Sequence, residues 1–110
     1  MDGDRLQFVT SMHTKNPKDS FLAFAAAVEN QMAGNRARAI EICESIIEND
    51  PNYVDAYYKL GKLHENKNEI DKAILAYKAG KVVASKAKNQ KCIGELTEAL
   101  MLLDEEEGNW

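Results

Sequence analysis

The stretch Tyr57-Tyr58-Lys59-Leu60-Gly61-Lys62-Leu63-His64, followed by Ala73-Ile74-Leu75-Ala76-Tyr77, decides the fold of this chain. It sets two small residues, Gly61 and Ala73, among large ones. Small residues are needed where helices cross closely, and large ones such as Leu60 and Tyr77 fill the space between paired helices. The same pattern stands 34 residues earlier, where Ala27 matches Gly61, Ala39 matches Ala73 and Ile40 matches Ile74. Gly34 falls against Asn68, Ser11 against Ser45, and Pro17 against Pro51. A fixed period of this size is the signature of stacked helical repeats. Such a stack builds a surface for another protein and not a pocket for chemistry.

Reading outward gives six helices. Leu6, Phe8, Val9 and Met12 offer an apolar face to a first helix over 3–15, which Asn16-Pro17 stops because the residue before proline is pushed out of the helical region. Asp19 or Ser20 caps a second helix that ends at Gly34. A third helix over 36–49 carries Ala39, Ile42, Cys43, Ile46 and Ile47. Asn52, with Asp55 three residues on, is expected to cap a fourth helix reaching residue 67. Asn68 then repeats the turn of Gly34, since asparagine also tolerates the left-handed conformation. A fifth helix over 70–88 should run past Ser85, where the period calls for a proline. A sixth, over 90–106, carries Ile93, Leu96, Leu100 and Leu103 and matches the repeat poorly, so it reads as a closing helix.

Residues 20–84 resemble two consecutive tetratricopeptide repeats. The family pattern W-x2-L-G-x2-Y…A-x3-F…P appears as Tyr57, Leu60, Gly61 and His64, then Ala73 and Tyr77. The first unit is weaker, with Ala23, Ala26, Ala27 and Asn30, then Ala39, Cys43 and Pro51. The resemblance implies an all-α, right-handed stack of antiparallel helix pairs. Residues 5–17 would be the second helix of a preceding unit, 20–53 and 54–87 two full repeats, 90–106 a capping helix and 107–110 a frayed tail.

It also implies a function, the binding of a protein or peptide segment. The first helix of each unit lines the concave face, which would present Phe21, Phe24, Val28 and Gln31, then Asp55, Tyr58, Lys62 and Glu65. The first group is largely apolar and the second polar. Three readings of Phe21, Phe24 and Val28 stand: a peptide groove, burial beneath the N-terminal helix, or the seam of a homodimer. An accessory chain of a larger complex is a further alternative. Members that grip the acidic tail of heat-shock chaperones carry a lysine and an asparagine where this chain has Phe24 and Val28, so that ligand is not expected.

No catalytic residue, metal site or cofactor is expected. His64-Glu65 begins like a zinc-protease helix, but the second histidine of that motif would stand at residue 68, which is Asn68. In the repeat register His64 falls where a core aromatic packs. His13 has no acid or cysteine at helical spacing on its face. Cys43 also takes a core position, where apolar surroundings quiet a thiol, while Lys91 beside Cys92 could favour a thiolate only modestly. Two cysteines 49 residues apart, with no CxxC spacing, read as structural thiols.

Composition narrows the partners. The 110 residues are 45% hydrophobic and 29% charged, with a net charge of −4, which argues against a nucleic-acid partner. Charge is nonetheless segregated: Lys78 to Lys91 holds five lysines and no acid, and Glu95 to Glu107 six acids and no base. Such blocks are read first as solvated helical surface. The opening Met1-Asp2-Gly3-Asp4 lacks the basic segment and apolar run of a secretory signal, and no stretch approaches the length needed to span a bilayer. A cytoplasmic location away from membranes is therefore expected.

Overall fold

Among the described residues, three with positive φ punctuate the chain: Gly34 at 87°, Asn68 at 61° and Lys88 at 57°. Each ends a helix in the same way. The Gly34 N–H donates to Gln31 C=O and the Asn35 N–H to Asn30 C=O; Asn68 and Glu69 repeat this onto Glu65 and His64, and Lys88 and Asn89 onto Ser85 and Ala84. These paired bonds satisfy carbonyls that a helix end leaves open. The equivalence of Gly34 and Asn68 holds. The third stop was not visible in the sequence, because lysine is a poor occupant of the left-handed region.

The computed structural model describes residues 2–107, and among them the chain forms six α-helices and no strand. These are α1 (Asp2–Lys15), α2 (Ser20–Met32), α3 (Arg36–Asn49), α4 (Val54–Asn66), α5 (Ile70–Lys86) and α6 (Gln90–Glu107). Glu107 remains helical, and the rest of the tail expected to fray, Gly108-Asn109-Trp110, lies outside the described residues. Each helix packs on the one before it and the one after it. This is the all-α stack of antiparallel pairs that the period predicts.

Two boundaries differ from expectation. Asn52 does not cap α4. The Tyr53 N–H donates to Asp50 C=O at 3.0 Å, closing a turn with Pro51 and Asn52 at its centre, so the helix starts later and Tyr53 is the capping residue. Helix α5 does run past Ser85, but Lys88 stops it at Lys86. By contrast Asp19 caps α2 as expected, its carboxylate accepting from the Leu22 N–H at 3.1 Å.

The core has two clusters, one built mainly on α2, α3 and α4 and one on α5 and α6, with the crossing of α4 and α5 between them. A Cβ on Gly80 would lie 2.7 Å from Tyr57 Cβ and 3.4 Å from a Leu96 methyl, so α5 can sit between α4 and α6 only with a bare backbone there. Tyr57 also reaches back, its hydroxyl donating to Pro51 C=O at 2.6 Å. The repeat partners of Tyr57 and Gly80 are Ala23 and Ile46, both buried. Large and small have exchanged sides between the two units. Helix α1 is fastened to α2 by Arg5, whose guanidinium lies 3.2 Å from the buried Glu29 carboxylate. Such a pairing supplies the countercharge that a buried carboxylate needs.

Candidate protein-binding face

Helices α2 and α4 present matched positions 34 residues apart: Phe21 with Asp55, Phe24 with Tyr58, Val28 with Lys62, and Gln31 with Glu65. On α2, Phe21 is 72% exposed. Phe24 is half-buried, tilted against the Tyr53 ring with centroids 5.8 Å apart. It packs, together with Val9 of α1, against the core of α2, α3 and α4. Val28 is half-buried as well. The two phenylalanines therefore divide: Phe24 anchors the face from below and Phe21 stands in solvent.

On α4 the residues form one network. The Tyr58 ring lies 5.8 Å from that of Tyr77. Lys62 Nζ sits 5.4 Å from the Tyr58 centroid, within range of a cation–π attraction, and 3.8 Å from Glu65 Oε1. Glu65 in turn accepts a hydrogen bond from the Tyr77 hydroxyl. Burial, then that carboxylate bond, then the Glu65 charge hold the Tyr77 phenol far above its usual range. Asp55 is exposed in the first turn of α4, where a negative charge complements the helix dipole. Gln31 accepts from Lys59 Nζ at 2.8 Å, tying α2 to α4. Sequence reasoning did not tie Lys59 to Gln31 or seat Tyr53 against Phe24. Tyr77 is fully buried, as its core position in the repeat requires, and its hydroxyl meets the Glu65 carboxylate from within the core.

Of the residues weighed for chemistry, His64 and Cys43 are buried in the structure, while the buried Nδ1 of His13 has no hydrogen-bond partner among the described residues. His64 is buried, and its Nδ1 lies 2.9 Å from Glu69 Oε1. Because an ionised carboxylate only accepts, the imidazole N–H donates there. Burial pushes the Cys43 thiol up to about 12, with Lys59 opposing weakly and Glu44 adding to the rise. The Cys92 thiol is also raised, by burial first and then by Asp55 and Glu95, against the lowering pull of Lys91. Among the described residues no cluster of His, Cys, Asp and Glu could hold a metal ion, and no helix is long and apolar enough to cross a membrane.

This architecture is that of an α-helical repeat protein. A tetratricopeptide repeat model matches residues 42–75. A crystal structure of a tetratricopeptide repeat domain protein from Salinibacter ruber is 38% identical, covers 78% of this chain and 96% of its own, and superposes with a TM-score of 0.74. A solution NMR structure of a tetratricopeptide repeat domain protein from the same organism is 39% identical, covering 80% and 89%, with a TM-score of 0.77. The chain belongs to the tetratricopeptide repeat family. The crystal structure of MamA, 18% identical over 99% of this chain and 72% of that one, shares the fold with a TM-score of 0.68. No curated protein matches the chain. Tetratricopeptide repeats in general mediate protein–protein interaction and are typically not enzymes.

Proposed function

We propose that this protein is a cytoplasmic interaction module that holds an extended or helical segment of another protein across α2 and α4. The observation that carries this reading is Phe21, a large aromatic 72% exposed at the edge of a face whose neighbours Phe24 and Val28 are only half-covered. Large apolar side chains exposed beside a half-covered apolar surface are what a binding face presents. The partner segment would set an apolar side chain on Phe21, Phe24 and Val28. Polar or charged groups would follow it along Gln31, Asp55, Tyr58, Lys62 and Glu65. Units 20–53 and 54–87 supply this face, while 5–17 and 90–106 flank them.

The test is a peptide display library panned on the protein, with the recovered peptides titrated calorimetrically and mapped by backbone NMR. Phe21→Glu should weaken binding by roughly tenfold or more, because it replaces an aromatic anchor with a charge that an apolar partner side chain cannot pair. The unfolding midpoint should not move, because Phe21 packs on little. Shifts should fall on α2 and α4. Peptides indifferent to Phe21→Glu, with shifts confined to α3 and α5, would refute the reading.

A further inference from the structure

Helix α1 takes the place of a unit's second helix, as α3 and α5 do, and packs chiefly on α2. Its Phe8 is 67% exposed, yet the matching residues of the next two units, Ile42 and Ala76, are buried at 3% and 7%. In α5 this position looks back toward the preceding helices. Ala76 packs with α2, α3 and α4, whereas its neighbour Tyr77 packs with α6. Phe8 therefore points to the side of α1 away from α2. A large aromatic left open at a position that is covered elsewhere in the stack marks a contact surface.

The rest of that face identifies what covers it. Asp4, Phe8, Ser11 and Lys15 follow at three-and-four spacing, so they form one stripe, and all four are exposed. Leu6, Val9 and Met12 face the stack and are half-buried. The stripe is acidic at one end and basic at the other, with an aromatic and a small residue between. Neither Asp4 nor Lys15 has an ion-pair partner among the described residues. Such a stripe complements its own reverse. Laid antiparallel on a second α1, Asp4 meets the partner's Lys15, and Lys15 meets the partner's Asp4. Helical rise then sets the two Phe8 residues about 4.5 Å apart along the axis, each over the small Ser11 of the partner. Every contact is made twice, as an isologous interface requires. The charge pairs form a polar rim about an apolar centre. Their matches in α3, Arg38 and Asn49, also stay exposed, so these positions are rim even where the centre is covered. Other arrangements fit worse. A parallel pair would set Asp4 on Asp4 and Lys15 on Lys15, and α6 of a second copy laid antiparallel would bring Lys91 onto Lys15.

We propose that α1 is the seam of a two-fold homodimer, in which the stripe of Asp4, Phe8, Ser11 and Lys15 lies antiparallel on the same stripe of a second copy. Each α1 then covers Phe8 of the other, as preceding helices cover Ala76 within the stack. No residue of the α2 and α4 face lies on α1, so each copy keeps that face and the dimer carries two. Two linked faces raise the avidity for a partner that offers two segments.

Sedimentation equilibrium across the micromolar to millimolar range, with backbone NMR over the same range, tests the seam. A dimer that loosens with added salt is expected, since screening weakens exposed charge pairs. Its concentration-dependent shifts should centre on α1. Phe8→Glu should weaken the dimer by roughly tenfold or more, because it sets a charge where two rings would meet. The unfolding midpoint, measured where the parent is monomeric, should not move, Phe8 being exposed. Lys15→Asp and, separately, Asp4→Lys should each weaken the dimer by roughly fivefold or more, since like charges then face each other. An equimolar mixture of those two variants should dimerise again, because opposite charges meet at both ends. Helical shifts along α1 in each variant separate a lost seam from a frayed helix. A monomer at every concentration would overturn the proposal and leave the stripe to a helix of another protein. So would a dimer indifferent to Phe8→Glu but lost with Phe21→Glu, shifts confined to α2 and α4, or a mixture that stays monomeric with α1 helical.

Discussion

Tyr77 lays its ring on the bare backbone of Gly61. A Cβ added to Gly61 would lie 2.2 Å from Tyr77 Cε1 and within 2.6 Å of Cδ1 and Cζ, far inside contact distance. The aromatic ring can occupy the crossing of α4 and α5 only because residue 61 has no side chain. The arrangement also aims the hydroxyl of Tyr77 at Glu65, so one packing contact positions part of the candidate binding face.

Gly61→Ala is therefore expected to destabilise the protein by about 1–3 kcal/mol, the usual cost of overpacking a filled site. Urea unfolding would measure it. Combining it with Tyr77→Leu should recover part of that loss, because the smaller side chain vacates the space the new methyl needs. Losses that simply add in the double variant would show that the two residues do not share this space.

The first unit solves the same crossing with different volumes. Ala27 and Cys43, both fully buried, stand where the second unit has Gly61 and Tyr77. Cys43→Tyr alone should overpack α2 against α3 and lower the unfolding midpoint. Ala27→Gly alone should also cost stability, about 0.5–1 kcal/mol from helix entropy. Together they should be less damaging than their sum, since the glycine opens the seat the ring requires. Differential scanning calorimetry on the three variants decides it.

This exchange of volumes explains how far the sequence could be read. The period and the small residues at 27, 39, 61 and 73 announce helix crossings, because close approach forbids large side chains at fixed positions. Gly34 and Asn68 announce turns for an equally local reason. What escaped depended on where side chains end up in space. Phe21 and Phe24 are the same residue type on one helix face, yet only the structure separates an exposed Phe21 from a Phe24 seated on Tyr53. Asn52 was a plausible cap until the Asp50–Tyr53 turn moved the helix start. Lys88 carries no sequence signal for a left-handed turn at all.

Lys88 yields a prediction of the opposite sign. Its φ of 57° imposes a backbone cost that glycine does not bear. Lys88→Gly should stabilise the monomer by about 1 kcal/mol, raising the unfolding midpoint by roughly 4–8 °C for a domain of this size. The measurement belongs at high salt, where removing one lysine charge has little other effect. An unchanged or lowered midpoint would mean that the surrounding turn already accommodates the lysine without strain.

Glu69 gives the pH dependence. Its carboxyl is held below its ordinary value of 4.5, first by the hydrogen bond from His64 and further by Lys67, Lys72 and the His64 charge, against a partial desolvation. A carboxyl with a depressed folded-state pKa binds its proton more readily when unfolded. Its contribution is therefore complete above about pH 4.5 and is lost as pH falls through the folded-state value. Glu69→Gln should flatten the acid limb of a stability–pH curve below pH 5 while leaving its alkaline limb unchanged. His64→Phe should produce the same flattening, because it removes the donor that lowers the carboxyl. If both variants keep the acid limb of the parent, the bond between His64 and Glu69 does not set it, and other carboxylates must.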